Sequence, residues 1–458
     1  MKQRYSCWLA QTQFCCFVLL IFGFAMNAAA QTGTVVPPCG LTASVDGSPS
    51  SQPTGCSPTS TGPFTISSQE PITLVPNPNA MFATPLPSTV TSHIAVAGGP
   101  YLSSSATMIA AQLSFAASGL RGVLNWQQAA VGADQQVPKY YGQSTDPVYQ
   151  LTSCPPYTPP PGTLNTPFHL ASGARFSAGG ADRFLAVWDQ TNNNIFALYA
   201  PSMSAIPACP GGGHAGTASD PCQIALASPS ACGKSNFYST TANTPNDGGW
   251  ATGGILPPNG LIRMQEVVSG HIYHALYLDI ACSSQTTVFP NSTGSTANWC
   301  ANEGNVNSNG MPNGALIFLD YTTAQLADIK TKVPAWQYPF LEALTVYGGY
   351  FQDTGAIGSS GGIYPSRAES EVAYNVAGIA TPHPVGFTNF FSWLASQAHS
   401  NCSIISPSGG YKCNLAVFEN VPAEPNNIGG SGTDIASHMH VADQCVAKAQ
   451  AGVSGGCP

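Results

Sequence analysis

Twelve cysteines constrain this chain more than any other feature. The sequence holds fifteen, of which Cys7, Cys15 and Cys16 lie in the first thirty residues, leaving an even number beyond them. No Cys-x-x-Cys pair occurs, and no cysteine–histidine cluster has zinc-finger spacing, so the set reads as a disulfide framework rather than a metal or redox site. Closeness in sequence suggests Cys39/Cys56, Cys209/Cys222, Cys282/Cys300, Cys402/Cys413 and Cys445/Cys457. Cys154 and Cys232 are then left for each other, with Cys222/Cys232 as the obvious competitor. A framework of this density implies an oxidising compartment.

The N-terminus agrees. Lys2 and Arg4 precede an apolar run from Phe14 to Phe24, and Ala28-Ala29-Ala30 supplies the small residues of a cleavage site. Residues 1–30 therefore read as a signal peptide, cut between Ala30 and Gln31. The apolar run falls short of the ~20 residues that a membrane span requires. No later stretch reaches that length, so no membrane span is expected after signal cleavage, and the chain is expected to be secreted, extracellular or periplasmic.

Charge narrows the partners. Only 7% of residues are charged, against roughly 25% in ordinary soluble domains. Beyond residue 30 there are 11 basic and 21 acidic residues, a net charge near −10. That balance argues against a nucleic-acid binder, which would carry a basic face, and against docking on anionic lipid. A neutral surface rich in Ser, Thr, Asn and Gly suits a hydroxyl-rich partner, a polysaccharide or cell-surface glycan. No phosphate loop or dinucleotide fingerprint is present, and Ser360 within Gly358-Ser359-Ser360-Gly361-Gly362 misses nucleophile-elbow spacing. No cofactor is expected.

Dense turn formers cut the chain into short elements. Residues 31–90, rich in Pro, Ser and Thr, read as a leader or cap, and residues 91–458 as a β-sandwich domain with C-terminal helical additions. Phe184–Trp188 and Ile195–Tyr199 flank the polar stretch Asp189–Asn194, a hairpin signal. His271–Ile280 predicts a strand with Ile272, His274, Leu276, Leu278 and Ile280 on one face and His271, Tyr273, Tyr277 and Asp279 on the other. Helices are expected over Ala324–Lys332 after a capping Thr323, over Phe340–Tyr347 before Gly348-Gly349, and over Phe390–His399 and Ala436–Ala451. The expected fold class is mainly β: a jelly-roll-like β-sandwich with a few short helices, stapled by disulfides.

The segment Asn259-Gly260-Leu261-Ile262-Arg263-Met264-Gln265-Glu266-Val267-Val268-Ser269-Gly270-His271-Ile272-Tyr273-His274-Ala275-Leu276 carries a G-L-I-R-x-x-E-V-x-x-G-x-I-x-H-A-L signature. It resembles a family of secreted bacterial and fungal proteins. Ala181-Asp182-Arg183-Phe184 upstream, and Leu341–Gly348 with Asp353-Thr354-Gly355 downstream, are similar to that family's neighbouring segments, so the resemblance spans roughly residues 170–355. Phe184 stands where the family has His, Ala197 where it has an acid, and Thr252-Gly253-Gly254-Ile255 is a shortened stretch. The resemblance implies secretion and a β fold; it implies no particular activity.

Glycoside cleavage needs a proton donor and a second carboxyl opposite it. Glu266 and His274 are the sharpest candidates: Glu266 opens a segment dense in proton-handling groups, although His274 alternating with apolar residues also suits a core histidine, and Glu266 can pair with Arg263. Asp353 and Asp189 complete the catalytic candidates, Asp189 also suiting a turn-starting residue. His271, Tyr273, Asp182 and Trp250 are the binding candidates, Asp182 also suiting an ion pair with Arg183. Trp126, Tyr140, Tyr141, Trp299, Trp336, Tyr338, Tyr350 and Trp393 are further aromatics that stack on sugars or fill the core. His438-Met439-His440 would share an ion only on a strand; in the expected helix the two rings diverge, so no metal is expected. The reading is a carbohydrate-active protein, a glycan hydrolase or lyase acting in a surface groove. The alternative is a non-catalytic glycan-binding or surface-structural protein.

Overall fold

Short apolar runs between turn formers become short strands. In chain order these are β1 (Val123–Gln127), β2 (Gln136–Val137), β3 (Lys139–Gly142), β4 (Val148–Ser153), β5 (Pro167–His169), β6 (Phe184–Asp189), β7 (Asn194–Tyr199), β8 (Cys222–Ala225) and β9 (Ala231–Asn236). There follow β10 (Leu276–Ile280), β11 (Ser283–Thr287), β12 (Met311–Asn313), β13 (Leu316–Leu319), β14 (Gly349–Thr354), β15 (Ile363–Pro365), β16 (Ala368–Glu369), β17 (Cys402–Ile404), β18 (Tyr411–Ala416) and β19 (Met439–Val441). The α-helices are α1 (Ser105–Ser114), α2 (Thr323–Lys332), α3 (Tyr338–Val346), α4 (Ile435–His438) and α5 (Gln444–Gln450). The computed structural model describes residues 81–114, 123–127, 136–137, 139–142, 144–156, 159, 162–174, 176, 183–189, 191–192, 194–236, 260–262, 266–267, 270–280, 283–291, 309–354, 363–365, 368–369, 402–404, 411–416 and 435–458. All of them belong to the unit Val35–Pro458.

The described residues form a mainly β structure of several small sheets with few helices. In the first half, β3-β6-β7-β9 and β5-β4-β8 are the main sheets. The hairpin at 184–199 forms in register, with Phe184 opposite Tyr199 and Asp189 opposite Asn194. One apolar cluster draws Tyr140, Leu185, Val187, Phe196 and Leu198 from the first sheet and Tyr149, Leu151, Phe168 and Ile224 from the second. Cys154–Cys232 and Cys209–Cys222 are bonded there.

In the second half the order β15-β10-β14-β13-β19 makes a five-stranded sheet, in which β10 and β14 run parallel. One face packs through Leu276, Leu278, Ile280 and Ile317 on Phe340, Leu341 and Leu344 of α3 and on Met108 and Ile109 of α1. The other packs through Ala275, Leu316, Phe318 and Tyr350 on Met81, Phe82 and Val446. Leu341 is fully buried; truncating such a residue to Ala costs about 2–5 kcal/mol. The strand expected over 271–280 is confined to 276–280, and every residue of it is buried. An interior strand covered on both faces has no solvent side, so its alternation of types sorts residues between two cores.

Other boundaries shift for local reasons. Thr322, not Thr323, caps α2, in a capping box with Gln325. The α3 helix starts at Tyr338, with Pro339 in its first turn, and Gly348 at φ 77° turns the chain out of it. Residues expected as one helix from 436 divide into α4, β19 and α5, because Met439–Val441 pairs with β13. Packing also begins before residue 91, since Met81, Phe82 and Ala83 are buried. Cys445–Cys457 is bonded, and Cys402 and Cys413 are direct ladder partners. Cys39, Cys56, Cys282, Cys300 and the helix expected over 390–399 lie outside the described residues. Among the described residues no helix is long and apolar enough to cross a membrane.

The segments at the two ends of the described range are tied to each other. Ala95 N–H donates to the Val441 carbonyl at 2.8 Å, and Asp443 N–H to the His93 carbonyl at 2.7 Å. The Tyr101 hydroxyl reaches the Ala442 carbonyl at 3.1 Å, across 341 positions, and the Gln450 amide reaches the Thr84 carbonyl at 2.6 Å.

Candidate functional site

Glu266, His271, Tyr273 and His274 are brought together by one turn. The N–H groups of Gly270 and His271 both donate to the Glu266 carbonyl at 3.0 Å. Gly270 sits at φ 87°, the left-handed conformation that ends a helical turn and that a side chain disfavours. The chain therefore folds back, and His274 returns to the Glu266 side chain, with Nε2 at 3.3 Å from Oε2. Both are buried, at 1% and 0% side-chain exposure. His274 Nδ1 faces the Ala275 carbonyl at 2.8 Å. A carbonyl only accepts, so Nδ1 carries a hydrogen. The close Nε2–carboxyl contact then requires a second one, and the pair holds that proton as imidazolium–carboxylate or as imidazole–carboxylic acid.

A second carboxyl arrives from α3. Glu342 Oε2 lies 2.7 Å from His271 Nδ1, and its Oε1 accepts from the Tyr338 hydroxyl at 3.1 Å, one helical turn away. Glu342 is 5% exposed, whereas His271 is 19% exposed. The partly exposed imidazole has a buried acid against Nδ1, which favours the Nδ1–H tautomer. The Tyr273 ring lies 6.0 Å from that of His271. Tyr347 joins the two halves: its hydroxyl is pushed well above the ordinary tyrosine range by burial first, then by the negative charge of Glu342, Tyr273 and Glu266.

The remaining candidates lie elsewhere. Asp189 is fully buried at the β6–β7 turn. Its carboxylate accepts from the N–H groups of His169, Thr191 and Asn192 and from the Asn192 amide at 2.8–3.3 Å, the contacts of an Asx-turn residue. Asp353 lies on β14, in register with buried Asp279 of β10; its side chain, like Asp182 and Trp250, is outside the described residues. Tyr140, Trp336, Tyr338 and Tyr350 are buried; the side chains of Trp126, Tyr141, Trp299 and Trp393 are outside the described residues.

Sequence reasoning did not single out Glu342, or the roles of Tyr338 and Tyr347. One signal was present: Glu342 is the lone charge in the apolar run Tyr338–Val346, and a helix brings it within reach of Tyr338 four residues earlier. Among the described residues the one group of three His, Cys, Asp or Glu ligand atoms all within 4.8 Å of one another is His93, Cys445 and Cys457, where the two cysteines are bonded to each other. No protein family, curated protein or solved structure matches the chain.

Proposed function

We propose that this chain is a secreted carbohydrate-active protein that cleaves a polysaccharide or cell-surface glycan, as a hydrolase or lyase, in a groove that His271 borders. The observation that carries the reading is the His271–Glu342 contact at 2.7 Å, partly exposed imidazole outside and buried carboxylate inside. A partly exposed imidazole whose one nitrogen is held by an acid is placed to pass a proton to a bound substrate. His271 is then the catalytic acid–base, Glu342 and Tyr338 position it, and Tyr273 lines the sugar subsite. Glu266, buried on His274, supports the wall of the site. Paired disulfides and the N-terminal apolar segment support secretion. The core shared by the sheets β3-β6-β7-β9 and β5-β4-β8 supports a sandwich, jelly-roll-like arrangement for that half.

A second reading rests on a different observation. Six of the seven described histidines meet a carboxylate: His169, His214, His271, His274, His438 and His440. His271–Glu342 then belongs to a set of polar ties, and the protein binds glycans or builds a surface without turning them over.

The test is a panel of neutral and uronate-containing polysaccharides, scored for new reducing ends and for unsaturated uronate. Reducing ends alone indicate hydrolysis; both together indicate elimination. His271→Ala should lose about 100-fold or more in turnover, with glycan binding retained. Absence of cleavage across the panel, or His271→Ala within a few-fold of wild type, would shift the conclusion to the binding protein.

A further inference from the structure

We propose that the Cys445–Cys457 disulfide, with His93 beside it, is a thiol–disulfide exchange site that a small-molecule thiol opens while the rest of the protein stays folded. The three bonded pairs among the described residues differ in their surroundings. Cys154, Cys232, Cys209 and Cys222 sit in the apolar cluster of the first half, none more than 5% exposed. Gly216 lies so close on the Cys209–Cys222 pair that a side-chain carbon there would collide with Cys209 Sγ. Cys445 and Cys457 are instead partly exposed, at the margin of the cluster around Phe82. His93 is partly exposed too, and one of its ring nitrogens and both sulfur atoms all lie within 4.8 Å of one another. Backbone holds the imidazole there: Asp443 N–H, from the residue before α5, donates to the His93 carbonyl at 2.7 Å.

The chemistry follows from those neighbours. An incoming thiolate attacks one sulfur; a new S–S bond forms, the old one breaks, and the other sulfur leaves as a thiolate. A second thiol then displaces the first, so that two molecules of thiol are oxidised to their disulfide and Cys445 and Cys457 are reduced to thiols. Attack requires access, and exchange is faster the better the leaving thiolate is stabilised. An imidazole next to sulfur supplies that stabilisation, and His93 is within reach of whichever sulfur leaves. The effect of opening is local. The pair closes a separation of only 12 at the end of the chain, whereas Cys154–Cys232 closes one of 78. The burial of Val446, Ala447 and Gln450 on α5 and the ties from Ala95 to Val441 and from Gln450 to Thr84 do not pass through the sulfurs.

Folded full-length protein is incubated with glutathione, pulsed with iodoacetamide and digested for mass spectrometry, so that the labelling of each cysteine is timed in one sample. Cys445 and Cys457 should label about tenfold or more faster than Cys154, Cys209, Cys222 and Cys232, with circular dichroism unchanged. His93→Gln should slow labelling of Cys445 and Cys457 about threefold or more and leave the other four as they were. A variant that misfolds shows itself by labelling all six together; His93→Asn is then measured in its place, and if both misfold the wild-type order of labelling decides. Labelling of all six at one rate in wild type, earlier opening of either buried pair, or a folded His93 variant that exchanges as fast as wild type overturns the site. None of these measurements involves glycan cleavage.

Discussion

Replacing either member of the buried Glu266–His274 pair separates charge from packing. In His274→Ala the buried Glu266 carboxyl loses the group 3.3 Å away that shares its proton, and the Ala275 carbonyl loses its 2.8 Å donor. Removing one partner of a buried pair costs about 3–5 kcal/mol, and a cavity adds to it. Glu266→Gln behaves differently. Its amide donates to Nε2, while Nδ1–H stays on Ala275, so both contacts survive without a shared proton. A neutral hydrogen bond in place of a charged one changes stability by about 1 kcal/mol or less. The two variants should therefore differ by at least ~2 kcal/mol. Equilibrium urea unfolding with disulfides intact measures this, provided the slopes agree. His274→Ala within 1 kcal/mol of wild type, or Glu266→Gln as unstable as His274→Ala, would refute the shared-proton reasoning.

Burial holds the Tyr347 and Tyr350 hydroxyls above the ordinary tyrosine value of 10.0. A raised folded value favours the native state fully below pH 10, and that contribution is lost as pH rises through the folded value. Alkaline titration should show their phenolate absorbance growing only with loss of circular dichroism; phenolates complete in a still-folded chain would contradict the assigned burial. Chain entropy predicts that losing Cys154–Cys232, with a separation of 78, costs ~4.5 kcal/mol, against ~3 for Cys209–Cys222 with a separation of 13. Paired Cys→Ala variants compared by urea unfolding test the order, and the shorter loop costing more would reject it.

What could be read in advance followed from local chemistry. The 184–199 hairpin declared itself through two apolar runs around a polar turn, and α3 through an apolar run stopped by Gly348. The pairings of Cys154 with Cys232 and of Cys445 with Cys457 followed from elimination and proximity, and both are present. What stayed hidden depends on contacts between distant positions. His271 and Glu342 lie 71 residues apart, and Asp320 and His440 120 apart; no periodicity encodes such meetings. The 271–280 segment misled for the same reason, because alternation cannot show that a second layer covers its polar-looking face. The 436–451 segment misled because helical propensity yields where β13 offers an unpaired edge.

The stitching of residues 84–101 to 441–450 bears on how the molecule matures. A chain is synthesised from its N-terminal end, so β13 and the Met81–Ala83 turn appear before the partners that cover them. Until residues 435–458 arrive, β13 has an open edge and the cluster around Phe82 lacks Ala442, Val446 and Ala447. Such an intermediate is exposed to edge-to-edge association. A stop codon anywhere before β19 should therefore yield aggregated or degraded product, rather than a slightly shortened protein.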